Sequence, residues 1–406
     1  MRNKRNAAIA LVLGVVACLV GTWLLLRGAT SLVTFPLNTL NPQGRKAEDI
    51  YDLVLKVFVI AGVIFVIVEV GILWMVNRFR RTDGDVEGVD EPVQVHGNTG
   101  LEIGWTIVPA LILAVLAVFN ANTILRMDNV NDDALDVTVV GQQWWWEFRY
   151  DFDSDGVVDV ITATQLVMPE GRDVELSIQS RDVIHSFWIP ALNGKKDAVP
   201  GRTQPLVLQA DQPGIYSGQC TEFCGLSHGV MRMQVKVLPE DEWEEWKGVM
   251  LDVPDQPAAD DTDALEGQEL FVQQCTGCHQ IDGVAPGDTA PLEYSKTPDP
   301  DYGATVGTGL TAQNAPNLTH LMMRDTFAGS LLPLYEGGLA ADETSTDPSD
   351  VAAVPEREPN TNNLKRWLRN PEDIKPMDPD NGQGMPNLGL SEDQIDKLVA
   401  FLVTLK

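Results

Sequence analysis

Cationic side chains are scarce in this chain. Its 406 residues carry 29 lysines and arginines against 58 aspartates and glutamates, a formal net charge of −29. A surface of that sign repels a polyanion, and no basic stripe interrupts it, so a DNA or RNA partner is excluded. Solubility in a salty or crowded exterior accounts for such acidity, and so does steering of a basic partner protein. Histidine is scarcer, at five residues, too few for a histidine-rich multinuclear cluster. The five cysteines do not follow the spacing of a disulfide framework, and no internal repeat is present. Apolar side chains are plentiful at 44%, which excludes a mostly disordered protein. The length leaves room for two or three domains.

Three long hydrophobic runs dominate the N-terminal third. Arg2, Lys4 and Arg5 precede an apolar stretch from Ala7 to Leu26. Residues 1–27 read as an export signal, with Val15-Val16-Ala17-Cys18 resembling a lipobox cleaved before Cys18; an uncleaved membrane helix is the alternative. Runs at 52–77 and 103–126 each match the ~20 residues that span a hydrocarbon core. Arg78, Arg80 and Arg81 lie between them, so the positive-inside rule puts that connection in the cytoplasm. Residues 50–128 are therefore expected to form a two-helix transmembrane hairpin, with everything after it outside. Glu102 falls near the cytoplasmic end of the second span, where an ionisable group is either functional or simply facing water. Glu69, deeper in the first span, has no assigned role beyond a polar contact with another subunit.

From 129 to 250 the pattern changes to short β-type runs: Asp136–Val140, Trp144–Tyr150, Asp173–Gln179, Val183–Ile189, Pro205–Gln209 and Met231–Val237. Alternation and turn punctuation predict an all-β Greek-key sandwich or barrel, closed by a helix near Glu240–Met250. Residues 251–263 are rich in Pro, Asp and Ala and read as a linker. The domain from 264 to 406 ends in an amphipathic helix, with Ser391 as N-cap, Gln394 at N3, and Ile395, Leu398, Val399 and Leu402 on one face. Stretches 283–313 and 335–360, rich in Pro, Gly, Asp and Thr, read as surface insertions of that domain.

Four cysteines belong to two motifs. Cys220-Thr-Glu222-Phe-Cys224-Gly-Leu-Ser-His228 joins His185 from upstream, with Met231 close behind. Thiolate and imidazole together suit copper and zinc. A mononuclear blue-copper centre uses one cysteine; two cysteines meet the requirement for two copper ions bridged by both thiolates. Structural zinc held by Cys2His2 is the alternative, and it leaves Met231 and Glu222 without a role. The second motif, Cys275-Thr-Gly-Cys278-His279, is the pattern for covalent heme c attachment, with His279 as proximal ligand. Met322, Met323, Met377 and Met385 are the thioethers available opposite it. Heme attachment of this kind belongs to the oxidising side of a membrane.

Residues 50–250 resemble subunit II of heme–copper cytochrome c oxidases. The resemblance runs through Glu102-Ile-Gly-Trp105-Thr-Ile-Val-Pro109, Gly141-Gln-Gln-Trp144-Trp145-Trp146, Val183-Ile-His185-Ser-Phe-Trp188, Lys196-Asp197-Ala-Val-Pro200-Gly201-Arg202 and the 220–231 loop. It implies a cupredoxin-like fold with a dinuclear CuA centre. Side-chain ligands would be His185, Cys220, Cys224, His228 and Met231, with the backbone carbonyl of Glu222. The Glu222 side chain would reach a magnesium ion shared with subunit I. Trp144 matches the position where electrons arrive from cytochrome c, a core aromatic being the alternative; Trp145 replaces a frequent tyrosine. Glu102 would mark the mouth of a proton channel into subunit I.

Residues 264–406 resemble a class I, all-α cytochrome c, the fusion found in caa-type oxidases. Gly384-Met385-Pro386 stands just before the last helix, where such cytochromes carry the distal ligand, and Met377 is the second choice. Pro316-Asn317-Leu318-Thr-His320 resembles a segment of fused oxidase cytochromes, with His320 as a packing or propionate contact. The implied function is electron transfer from an external donor through heme c and CuA to heme a of subunit I. That donor would be a cytochrome c, a cytochrome bc complex or a small copper protein. Oxygen reduction and proton pumping would follow in subunit I, in a bacterial cell membrane. A CuA-bearing subunit of a nitric oxide reductase is the competing reading.

Overall fold

The computed structural model describes residues 37–81, 84, 86, 97–254, 256–282, 294–295, 315–339, 343–346 and 350–406. The expected signal segment with Cys18, and nearly all of the 283–313 insertion, lie outside the described residues.

Two long helices, α1 (Arg45–Phe79) and α2 (Thr99–Met127), supply the membrane anchor. Both are long and apolar enough to cross a bilayer, and their most apolar windows bury nothing within the protein. Phe58, Ile67, Trp105 and Leu113 all point outward, as lipid-facing side chains do. Arg126 pairs with Asp49 at 3.1 Å, joining the two helices at one end of the hairpin. Pro109 sits inside α2, a position that membrane helices tolerate.

The globular body begins with a two-sheet sandwich. Strands β1 (Leu135–Gln142), β2 (Trp145–Asp151), β3 (Val157–Val158), β4 (Val160–Ala163), β5 (Gln165–Pro169) and β6 (Val174–Ser180) come first. They are followed by β7 (His185–Phe187), β8 (Lys196–Ala198), β9 (Gln204–Leu208), β10 (Gly214–Gln219) and β11 (Arg232–Leu238). One sheet has the order β4-β2-β1-β6-β9 and the other β10-β11-β5, with β7 and β8 paired separately. β1 runs antiparallel to β2 but parallel to β6, and β11 runs parallel to β5. Strand β6 alternates buried and half-buried positions, with Val174, Leu176 and Ile178 inward. Helix α3 (Glu240–Leu251) closes one end by stacking Trp243 on Trp246 at 5.1 Å and laying Trp246 against Tyr150 at 5.3 Å.

The C-terminal domain is built on helices α4 (Thr262–Gln274), α5 (Thr361–Arg369) and α6 (Glu392–Leu402). The expected capping box on α6 is present, with Ser391 and Gln394 bonding each other's backbone. α4 and α6 cross at Gly267, where an added Cβ would lie 2.0 Å from the Lys397 carbonyl oxygen; only glycine permits that approach. Phe271 meets Phe401 across the crossing at 5.6 Å.

One expectation changes. The 335–360 stretch is not a loose surface insertion in its described part. Ser345 makes a β-bridge to Ile215, and Val351 and Ala353 are buried in the core of the sandwich. Its apolar Val351-Ala-Ala-Val354 run explains this, since burying those side chains is favourable at ~25 cal/mol per Å². The helical domain docks on the sandwich. Lys236 pairs with Asp325 at 3.1 Å, Arg324 Nε donates to Thr162 Oγ1 at 3.0 Å, and Thr326 Oγ1 donates to Gln234 Oε1 at 3.0 Å. Lys236, Thr162, Gln234, Arg324 and Thr326 are buried in that seam.

Candidate functional site

The sandwich edge and the loop after β10 bring the predicted metal ligands together. His185 starts β7, Cys220 follows β10, and Met231 immediately precedes β11. Cys220 Sγ lies 3.8 Å from Cys224 Sγ. His185 Nδ1 is 4.0 Å from Cys220 Sγ, and the Glu222 carbonyl oxygen is 3.4 Å from it. On the other flank, His228 Nδ1 and Met231 Sδ stand 3.6 and 3.7 Å from Cys224 Sγ. Four donors thus converge on one thiol pair, and His185, Cys220, Cys224 and Met231 are buried. The two thiols are hydrogen-bonded to one another. The hydrogen bond from Cys224 holds Cys220 down at about 3, while the same bond and burial push Cys224 up. A bound cation is what allows both to ionise. The donor set of soft sulfur and imidazole therefore fits copper.

Surrounding residues fix the ligands. Burial lowers the His185 pKa, but the Asp182 carboxylate, 2.7 Å from Nε2, and Cys220 together outweigh it and raise the pKa overall. That bond leaves Nδ1 facing the thiols, the carboxylate–histidine arrangement common behind metal ligands. Gly141 packs under the same ring, where a Cβ would come 2.9 Å from His185 Cδ2. The Cys224 carbonyl accepts from Gln143 Nε2 at 2.7 Å and from Trp144 Nε1 at 2.9 Å. Trp144 is 2% exposed, so it is both a core aromatic and a direct neighbour of the ligand loop. By contrast Phe223, 76% exposed, and Leu226, 63% exposed, leave the far side of the loop bare and apolar.

The second site lies in the helical domain. Cys275 ends α4 and is buried, Cys278 is exposed, and His279 follows. Burial pushes the Cys275 thiol up to about 11 and lowers the His279 pKa. His279 Nδ1 donates to the Pro316 carbonyl at 2.8 Å, which leaves Nε2 as the free ligand atom for an iron. Met385 packs on the core of the helical domain, whereas Met377 packs on the sandwich core. Met377 Sδ accepts the Met385 backbone N–H at 3.2 Å. That division favours Met385 as distal ligand. Met322 and Met323 are buried in a short 3-10 turn. His320 is buried, with Nε2 3.0 Å from the Asp252 carbonyl oxygen, a packing role at the linker. Arg324 is buried and donates to Thr162 Oγ1 and the Asn317 carbonyl. A buried cation so placed suits a heme propionate.

Glu102 stands in the first turn of α2 and accepts the Asn98 N–H at 3.1 Å, while Asn98 Oδ1 accepts from Leu101. The structure gives it a capping role. The Glu222 side chain is exposed. Asp151, Asp153 and Asp159 form a separate cluster with oxygens within 4.8 Å of one another, and Asp151 accepts the Asp155 and Gly156 amides of the same turn.

Sequence reasoning missed Asp182, Gln143, Arg324 and Lys375. Asp182 and Gln143 had a signal, Asp182 lying three residues before His185 and Gln143 standing next to Trp144; Arg324 and Lys375 lie outside the ligand motifs and had none.

Known proteins match this chain in all three of its segments. Family models for cytochrome c oxidase subunit II match over 40–122 (transmembrane domain) and 155–238 (periplasmic domain), and one for cytochrome c matches 264–406. Cytochrome c oxidase subunit 2 of Alkalihalophilus pseudofirmus is 32% identical over 379 residues, 91% of each chain. That of Bacillus sp. strain PS3 is 32% identical over 387 residues, covering 91% of this chain and 92% of the relative. The periplasmic domain of cytochrome oxidase subunit II from Bradyrhizobium japonicum covers 30% of this chain and 96% of its own, at 26% identity and a TM-score of 0.28. With membrane helices, sandwich and cytochrome domain in the same order as relatives matched end to end, this chain belongs to the cytochrome c oxidase subunit II family, in a form carrying a C-terminal cytochrome c domain.

Proposed function

We propose that this chain receives electrons for its oxidase complex, from an external donor to heme c, then to a dinuclear CuA centre, then to heme a of subunit I. The observation that carries the reading is the thiol pair flanked on both sides by donors. His228 falls outside the group of three, His185, Cys220 and Cys224, whose ligand atoms all lie within 4.8 Å of one another. A single tetrahedral zinc would gather all four tightly, so the spread favours two metals. His185 and the Glu222 carbonyl would serve the Cys220 flank, and His228 and Met231 the Cys224 flank. Cys275 and Cys278 would hold the porphyrin, His279 and Met385 would be axial ligands, and Arg324 would neutralise a propionate. Bound there, copper and heme supply one-electron redox chemistry. The protein contributes a buried frame whose ligands need not move.

Phe223 and Leu226 would face subunit I, and the exposed Glu222 carboxylate would reach a magnesium ion at that border. Glu102, besides capping α2, would sit at the mouth of a proton channel in subunit I. Arg78, Arg80 and Arg81 orient the hairpin so that both redox domains lie outside the bacterial cell membrane. Oxygen reduction and proton pumping would belong to subunit I.

Purification of the membrane complex, with metal analysis, copper EPR and heme typing, tests the reading. Two coppers per chain, a mixed-valence signal and hemes c and a are expected. Zinc in place of copper overturns the relay; hemes b and c without a assign the chain to a nitric oxide reductase.

A further inference from the structure

The Met385 segment does not merely lie near the copper-type loop; it is bonded to it. The Cys224 carbonyl is held by two neighbours in the β1–β2 turn, Gln143 and Trp144. Each of those is held in turn from the cytochrome domain. Gln383 Nε2 donates to Gln143 Oε1 at 2.9 Å, and the buried Lys375 ammonium donates to the Trp144 carbonyl. Ser227, in the ligand loop itself, donates to the Pro376 carbonyl. The segment is rigid at its other end as well. Gly384 has φ +94 and lies so close to Met377 that a Cβ would come 2.3 Å from its sulfur. Met377 is the residue that packs on the sandwich core.

We propose that Gln383, Gln143 and Lys375 are positioning residues that latch the Met385 segment onto the Cys224 side of the copper site. From Met385 the path runs along the chain through Gly384 to Gln383, across one hydrogen bond to Gln143, and across a second to Cys224. No step crosses a van der Waals gap, and electronic coupling decays far less through bonds than through space. One electron moves along it: the heme iron is oxidised by one, the copper pair is reduced by one, and no proton or bond changes hands. Lys375 is the second support. An ammonium taken out of water onto backbone carbonyls bears a large desolvation cost, and here it sits in the seam between the two redox domains, also 3.5 Å from the Ala328 carbonyl.

This inference rests on the relay reading, and the two fail differently. Gln383 is half-buried, so Gln383→Glu removes the donor, keeps the shape and threatens the fold little. In the intact complex we expect this variant to keep copper and heme with unchanged optical and EPR signatures. Pulsed EPR should show a broadened copper–iron distance distribution, and photo-induced heme-to-copper transfer should be slower than in the wild type. Gln383→Lys, which restores a donor, should recover both. A Gln383→Glu complex with both centres loaded, wild-type distances and wild-type rate overturns the latch. If that variant does not assemble, Gln383→Leu gives the same measurement without added charge. A wild-type complex lacking the mixed-valence copper signal overturns the relay instead.

Discussion

The ligand set was legible in the sequence because most of it sits in one loop. Cys220, Glu222, Cys224, His228 and Met231 fall within twelve residues, and only His185 had to be brought in by the fold. The residues that tune the site were only partly legible, because chemistry alone does not mark an aspartate or glutamine as a support. Asp182 is the case with a local signal, three residues before His185. Its carboxylate orients His185, so Asp182→Asn is expected to lower copper affinity about 10–100-fold while leaving the sandwich folded; metal titration with circular dichroism checks both. His320 carries a pH dependence. Burial lowers its pKa below the ordinary 6.5, although the Asp252 carbonyl works against that shift. Between 6.5 and the lower folded value the unfolded chain binds a proton that the folded chain refuses, so stability is full above 6.5 and falls as the medium is acidified. Its Nδ1 has no partner, which a proton there would not improve. Thermal unfolding followed from about pH 8 to 5 should show a shallower acid decline in His320→Asn than in the wild type.

Among elements, the second membrane helix and the start of α6 were read within a few residues, while the first membrane helix begins at Arg45, ahead of its apolar run, because long apolar runs and a capping box are local signals and a polar first turn is not. Strands were harder. β10 carries glycines at both Gly214 and Gly218, and β5 ends in Pro169, so neither looks like a strand in isolation. Each is specified by its ladder to β11. The Val183–Ile189 run was expected as a full strand, but only His185–Phe187 pairs, since the chain must turn to aim the histidine inward. The crossing of α4 and α6 offers a direct test. Gly267→Ala forces a methyl against the Lys397 carbonyl, and overpacking of this kind costs about 1–3 kcal/mol. The expected outcome is a lowered melting temperature of the cytochrome domain with the copper signal intact, read by heme absorbance and EPR in one sample.

For the molecule as a whole, the charge of −29 sets the terms on which a donor arrives. A basic donor is drawn in at low salt, and the Debye length shrinks from ~10 Å at 0.1 M to ~3 Å at 1 M. The second-order rate of heme reduction by a cationic donor should therefore fall severalfold over that range, as stopped-flow measurements would show. Transfer between the two centres should not follow it. The seam that joins them is lined by buried groups such as Arg324, Lys236 and Lys375, which ions in solution do not screen. Trp144 is buried and its carbonyl is held by Lys375 of the cytochrome domain, so on the proposed relay a visiting protein would meet the porphyrin first. The copper would then face one tethered donor at a fixed local concentration, and dilution or competition would reach the relay only at its outermost link.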